Sequence, residues 1–309
     1  MDRPPTAFSV IIPTYGSRPS LRDAVESVLS QSLPSFQVVV VCDGDGDDQK
    51  WVDDLLADVT DPRLSVVSES HKGVAAARNL GIARSTHPWV TFLDDDDRAR
   101  PGWLACWAET IRPDTLAVTA CVRYQRALGK GEIRSCVLDV SDLTMNASSV
   151  LAGGFVVRRD ILVAVGGYDE GLRASENQDL GLRICDHIKA SGIKGTIERV
   201  DQVLVDIIVE PAHLRDQRYG SAHSDAARIL LERHRHRLER DPSTHASLLR
   251  IVARGARLNG NHRAARSAAR RAVSLEPLRL DNAKSLALAS LPGLAMPVRR
   301  ILGAGRGRR

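Results

Sequence analysis

Four consecutive aspartates, Asp94 to Asp97, follow the apolar run Trp89 to Leu93. Like charges crowded at the end of a hydrophobic strand repel one another, and a divalent cation relieves that cost better than a hydrated loop does. Hard oxygen ligands suit Mg2+ or Mn2+, and such a metal held by two or three carboxylates keeps positions for water and a substrate diphosphate. A second acidic segment, Asp43-Gly44-Asp45-Gly46-Asp47-Asp48, follows Val38 to Cys42. Asp43 directly ends that run, where its carboxylate can accept the imide N–H of a uracil-like base or cap the next helix. The Asp/Gly alternation imitates a calcium loop, but no bidentate Glu stands at the twelfth position and a strand precedes it, which argues against calcium. Val10-Ile11-Ile12-Pro13-Thr14-Tyr15 is a strand ending in Pro and an aromatic, able to offer carbonyls and a ring edge to a planar base. Ser70 to Gly81 opens a helix with Gly73 and small residues, so a ligand can approach the backbone. Arg78, on its second turn, can meet a phosphate or stand as an exposed cation.

These segments need a scaffold that gathers them. Short β-branched runs at Phe8 to Ile12, Gln37 to Cys42, Leu64 to Val67 and Trp89 to Leu93 read as strands buried on both faces. Helical stripes at Pro19 to Ser30, Gln49 to Val59 and Val74 to Arg84 separate them. The alternation predicts an α/β fold with a doubly wound, mostly parallel sheet, whose ligand site lies beyond the carboxyl ends of the strands. After Leu93 the rhythm loosens into α+β. Helices are expected at Pro101 to Ile111, Arg159 to Val165 and from Glu176, and strands at Leu116 to Val122, Phe155 to Val157, Gly195 to Arg199 and Val203 to Val209. From Ala226 onward the chain reads as helices at Ala226 to Leu238, His245 to Leu258, Arg263 to Ser274 and Leu280 to Leu291. The turn Asn259-Gly260-Asn261 resembles that of one tetratricopeptide-like hairpin. Solenoids need about three copies, so the reading is an α-helical C-terminal extension. The expected domains are 1–211, 212–298 for the helical extension, and 299–309 as a basic disordered tail.

The length of 309 residues, with 43% apolar and 26% charged, suits one large or two small globular domains. Aromatics make up only 4%, so Ala, Val, Leu and Ile must build the core. The net charge of +5 hides a segregation: residues through Pro211 hold 22 Lys+Arg against 31 Asp+Glu, and Ala212 to Arg309 hold 21 against 7. That cationic third can meet anionic lipid, nucleic acid or the acidic remainder. It lacks interleaved aromatics, so nucleic acid is not the expected partner. Cys42, Cys106, Cys121, Cys136 and Cys185, odd in number and without Cys-x-x-Cys spacing, read as reduced thiols of a cytoplasmic protein. The N-terminal apolar run is too short for a signal peptide. Leu286 to Val298 is broken by Pro292, Gly293 and Pro297 and can at most lie on a bilayer.

The ordered set strand-Pro13-Thr14-Tyr15, Val-Val-Val-Val-Cys-Asp-Gly, Gly-Val-Ala-Ala-Ala-Arg-Asn-x-Gly, Phe-Leu-Asp-Asp-Asp-Asp and Gly-Gly-Tyr-Asp-Glu-(x)5-Glu-Asn-Gln-Asp-Leu-x-x-Arg resembles the signature of family 2 glycosyltransferases of GT-A fold. The likeness runs from about Ser9 to Arg183 and makes 1–211 the expected catalytic domain. It implies a nucleotide-diphosphate sugar donor, UDP-sugar favoured, inversion at the anomeric carbon, and a divalent metal, Mg2+ or Mn2+. The acceptor would be a saccharide or a lipid-linked glycan; the charge of the basic C-terminal region, not the resemblance, is what suggests peripheral contact with an anionic membrane. By position, Pro13, Thr14, Tyr15 and Asp43 would hold the nucleoside with Arg78 near it. Asp94 and Asp95 would meet the donor, and Asp94 and Asp96 the metal. The chain departs from the pattern at Asn177, where relatives carry the Asp that deprotonates the acceptor. Glu176 and then Asp179 are the nearest substitutes, both at a helix start where the dipole favours the ionised forms. His213 is a further candidate for the diphosphate and metal. The alternatives are a catalytically impaired nucleotide-sugar-binding scaffold, motivated by Asn177, and a sugar-nucleotide nucleotidyltransferase, for which Gly16-Ser17-Arg18 is a meagre phosphate loop.

Overall fold

The computed structural model describes residues 6–125, 131–209 and 222–290. The chain divides into two compact units, Met1–Arg215 and Asp216–Arg309. In the first, strands β1 (Phe8–Thr14), β2 (Phe36–Asp43), β3 (Leu64–Glu69) and β4 (Trp89–Phe92) alternate with helices α1 (Ser20–Leu29), α2 (Gly46–Leu56) and α3 (Val74–Arg84). Their order is β3-β2-β1-β4, all parallel. Every residue of β1 and β4 is buried, as strands covered on both faces should be. The expectation of a mostly parallel α/β sheet holds for this half.

The second half of the sheet is mixed. After β5 (Arg98–Ala99) and α4 (Trp103–Thr110) comes β6 (Thr115–Gln125), then the short strands β7 (Glu132–Ser135), β8 (Val137–Leu138) and β9 (Ser148–Ser149). β10 (Phe155–Arg158) inserts antiparallel between β4 and β6 and joins the halves. Helices α5 (Arg159–Ala164) and α6 (Glu176–Ser191) precede β11 (Thr196–Ile208). The two strands expected at 195–199 and 203–209 are this one strand. Its register against β6 shifts between Arg199 and Val203, an irregularity that reads in the sequence as a break. Few aromatics suffice to key the core: Trp103 and Trp107 lie 4.9 Å apart, and Phe92 meets Phe155 at 5.7 Å. All five cysteines are free thiols, four of them buried.

The second unit is helical: α7 (Ala222–Arg233), α8 (Arg235–Leu238), α9 (Pro242–Leu258), α10 (His262–Leu275) and α11 (Leu280–Ser290). The helix expected at 226–238 is broken at His234, whose φ and ψ of −102° and 29° leave the helical region. Asp241 caps α9 by accepting from Thr244 N at 3.0 Å, and Asn261 caps α10 through Ala264 N at 3.0 Å. Ala253, Ala256, Ala265, Ala269 and Ala289 form an interior of small side chains that lets the helices approach closely. The expected boundary after residue 211, His213 and the basic tail lie outside the described residues.

Helix α3 positions much of the site, and Gly81 is what lets it sit on β1. A Cβ added there would stand 2.4 Å from Ile11 Cγ2, a fully buried branched side chain with nowhere to go. Gly81→Val should lower stability by about 1–3 kcal/mol, the usual cost of overpacking. An unchanged urea midpoint would show that α3 is not pressed against β1.

Candidate donor and acceptor site

The carboxyl ends of β1, β2 and β4 converge with the starts of α3 and α6. The aspartate run forms a turn closed by Asp97 N donating to Asp94 O at 3.0 Å, and its exposure alternates: Asp95 and Asp97 are buried, Asp94 and Asp96 partly exposed. The buried pair is structural. Thr14 Oγ1 donates to Asp95 Oδ2 at 2.6 Å, and Ile208 N donates to Asp97 Oδ1 at 3.0 Å, so the run is pinned to β1 and β11. Burial pushes Asp95 up to about 6, with Asp96 and Asp94 adding to it and Thr14 and Arg18 opposing it. Burial and then Asp94 and Asp96 hold Asp97 well above the ordinary range, against the Ile208 N–H. Asp94 and Asp96 are left as two outward carboxylates two residues apart, a hard-oxygen pair that fits Mg2+ or Mn2+ and leaves room for diphosphate oxygens.

Arg78, 2% exposed, is neither a free phosphate cation nor a surface residue. Its guanidinium donates to Asp94 Oδ1 at 2.7 Å and to Glu176 Oε1 at 3.0 Å, and lies 5.1 Å from the centre of the Tyr168 ring. Burial disfavours its charge, but Asp94, Tyr168 and Glu176 outweigh that and raise its pKa above the ordinary value. The neighbouring Asn79 fixes the turn that carries Tyr168: Tyr168 N donates to Asn79 Oδ1 at 2.7 Å, and Asn79 Nδ2 returns a bond to Tyr168 O at 2.9 Å. Gly167 is required there, because its φ is +66° and a Cβ would fall 2.4 Å from Asn79 Oδ1. Sequence reasoning held Asn79 and Tyr168 within its motifs but gave neither a role. The available signal was the Arg-Asn pair itself, whose two side chains serve two different segments.

At the start of α6, Glu176 and Asp179 separate in role. The Glu176 side chain is 15% exposed, and its Oε1 accepts from Arg78 at 3.0 Å. Asp179 is fully buried and paired with Arg183 at 2.8 Å, and Arg183 also donates to Val165 O at 2.7 Å. That burial keeps Asp179 away from an incoming acceptor. Asn177 Oδ1 accepts from the Tyr168 hydroxyl at 2.9 Å. Ser175, just before Glu176, has φ 60°. Among the described residues the other non-glycine with positive φ is His71, on the opposite wall of the site, and strained residues of this kind cluster where function constrains the backbone.

The nucleoside-side candidates are brought together less directly. Pro13 and Thr14 are buried, and Thr14 spends its hydroxyl on Asp95. Tyr15 is 59% exposed and meets His71 edge to face at 5.7 Å. Asp43 is buried, and its two oxygens accept Lys72 N at 2.7 Å and Gly73 N at 2.8 Å, which tethers the loop before α3. The sequence suggested a base contact, whereas the geometry first makes Asp43 an anchor. Arg18 lies 3.5 Å from Asp96 and 3.8 Å from Asp95, so it faces the acidic run and not an outer phosphate loop. Among the described residues, Asp45, Asp48 and His71 bring ligand atoms within 4.8 Å of one another, but Asp45 and Asp48 form the capping box of α2, which explains their closeness.

Residues 9–159 match the family described as glycosyl transferase family 2. The pre-mycofactocin glycosyltransferase of Mycobacterium tuberculosis (strain ATCC 25618 / H37Rv) is 31% identical over 205 residues, 60% of this chain and 41% of that protein. S. aureus TarS 1-349 in complex with UDP-GlcNAc superposes with a TM-score of 0.58 at 18% identity, covering 93% of this chain and 87% of that one. The mannosyltransferase PcManGT from Pyrobaculum calidifontis, in complex with GDP-Man and Mn2+, gives 0.53 at 18% identity, with 95% and 82% covered. At such identities these structures establish a shared fold. The chain spans no more than 55% of the length of the first curated relatives it matches.

Asp43→Ala tests the anchor. It strands two N–H groups and should cost about 1–3 kcal/mol. Hydrogen exchange at Lys72 and Gly73 should accelerate more than in the strands. Unchanged protection at those two amides would refute the tether.

Proposed function

We propose, from the match of residues 9–159 to glycosyl transferase family 2, that the protein is an inverting, metal-dependent transferase that moves a sugar from a nucleoside-diphosphate donor to a hydroxyl of a glycan or lipid-linked acceptor. The observation that carries this reading is one buried guanidinium joining the outward carboxylate Asp94 to Glu176. Asp94 and Asp96 would hold Mg2+ or Mn2+, which when bound neutralises charge developing on the departing diphosphate. The Mn2+ in the PcManGT complex supports that donor set, and the UDP-GlcNAc of the TarS complex supports a UDP-sugar.

Glu176 Oε2 takes the proton of the acceptor hydroxyl. The acceptor oxygen forms its bond to the anomeric carbon as the bond to the diphosphate breaks, from opposite faces, and configuration inverts. Arg78 orients Glu176, and the open stretch beside Tyr15 and His71 receives the nucleoside, with Asp43 holding the loop that borders it. Asp179 has a structural part, since its charge is consumed by Arg183. A second reading, a nucleotide-sugar-binding scaffold, draws on Asn177, which stands at the family's base position as an amide engaged by Tyr168.

Glu176→Gln should keep donor affinity and lower turnover roughly 10²–10⁴-fold, the usual share of general-base catalysis. Asp96→Ala should abolish metal-dependent donor binding, read by calorimetry with UDP-sugar and Mn2+. Asp179→Asn should instead destabilise the fold, by up to about 3–5 kcal/mol if Arg183 is left as an uncompensated charge, with little change in turnover of the folded fraction. Donor binding without transfer to any hydroxyl acceptor would favour the scaffold. An Asp96→Ala protein that binds UDP-sugar and Mn2+ like the parent would sink the metal assignment.

A further inference from the structure

The helical unit carries a charge pattern that sugar transfer does not use. From Pro242 to Leu275 the chain holds seven arginines and neither Asp nor Glu. The turn Asn259-Gly260-Asn261, with φ 74° at Gly260, folds α10 back along α9. At about 1.5 Å rise per residue, Arg254, Arg257, Leu258, Arg263 and Arg266 all lie within about 8 Å of that turn along the helix axes. Arg254 and Arg263 are exposed, Arg257 and Arg266 half-buried, and Leu258 is 61% exposed. Glu239 and Glu276 pair with other cations, Arg235 and Arg279, and no salt bridge among the described residues reaches the four tip arginines. The tip therefore gathers four arginines, two exposed and two half-buried, with an exposed aliphatic side chain.

We propose that this hairpin tip docks on an anionic lipid surface, Leu258 entering the headgroup boundary while the four guanidinium groups meet lipid phosphates. The occupant follows from two features of the unit. Residues 222–290 contain no Phe, Trp or Tyr, so the stacking platform that single-stranded nucleic acid requires is missing. An exposed leucine amid arginines is instead the pairing that interfacial anchors use, aliphatic contact plus attraction to acidic headgroups. Among the described residues no helix is long and apolar enough to cross a membrane, so the contact stays at the surface. The proposal stands independently of the transfer reaction.

The test sediments the full chain with vesicles of phosphatidylcholine alone and of phosphatidylcholine with about one third phosphatidylglycerol. The expected result is binding to the anionic vesicles only, released by added salt. Changing Arg254, Arg257, Arg263 and Arg266 together to Gln should weaken that binding several hundred-fold, about fivefold for each guanidinium. Leu258→Ser should weaken it about tenfold with helicity unchanged. A parent protein that ignores anionic vesicles, or binds neutral ones equally, overturns the proposal whatever the variants do. So does a folded four-arginine variant that binds like the parent. A parent that leaves both vesicles in solution but retains an oligonucleotide or an acidic protein would assign the tip to that partner instead.

Discussion

The buried guanidinium of Arg78 is the constraint on which the site rests. It sits on α3, which Gly81 seats against β1, and it reaches one carboxylate on the loop after β4 and another at the start of α6. A positive charge out of water survives only with such partners, and removing one would leave the other terms of the balance exposed, an imbalance of about 3–5 kcal/mol. The pairing thus ties together two loops that the packing of Phe92 on Tyr168 at 5.2 Å also brings near one another. Tyr168 closes the arrangement from a third segment, its ring beside Arg78 and its hydroxyl on Asn177.

Much of the first half was legible because its information is local. Continuous β-branched apolar runs, two of them ending in Asp and one in Pro, mark strands and their carboxyl ends, and helical stripes between them favour parallel pairing, as β3-β2-β1-β4 displays. The insertion of β10 between β4 and β6 was not legible, since strand order beyond the parallel half depends on pairing choices that no single segment encodes. The fusion of two expected strands into β11 has the same origin: its irregular register is a property of the pair.

Site residues were legible as a set and not as individuals. Four adjacent aspartates announce chemistry, but which two face outward depends on Thr14 and on the Ile208 amide, residues 81 and 111 positions away. Asp43 reads as a base contact and Asp179 as a possible general base because composition carries no record of burial. One proves to be a loop anchor and the other half of an internal ion pair. The polar residues that organise the centre, Arg78 and Asn79, were visible, but their partners at Tyr168 and Glu176 lie about ninety residues on.

Those separations bear on how the molecule comes into being. Several bonds that define the centre span long loops: 98 residues from Arg78 to Glu176, 89 from Asn79 to Tyr168, 111 from Asp97 to Ile208. Loop closure of that order must precede any reward from the contact, so such links form late, after the locally connected strands and helices have condensed. The parallel half can thus be nearly complete, with Thr14 already on Asp95 and Arg78 on Asp94, while Arg78 still lacks Glu176 and Asp97 still lacks the Ile208 amide. A nascent chain emerging from the ribosome would hold a formed sheet and an unassembled centre until β11 is released, which makes competence a property of the last strand to arrive.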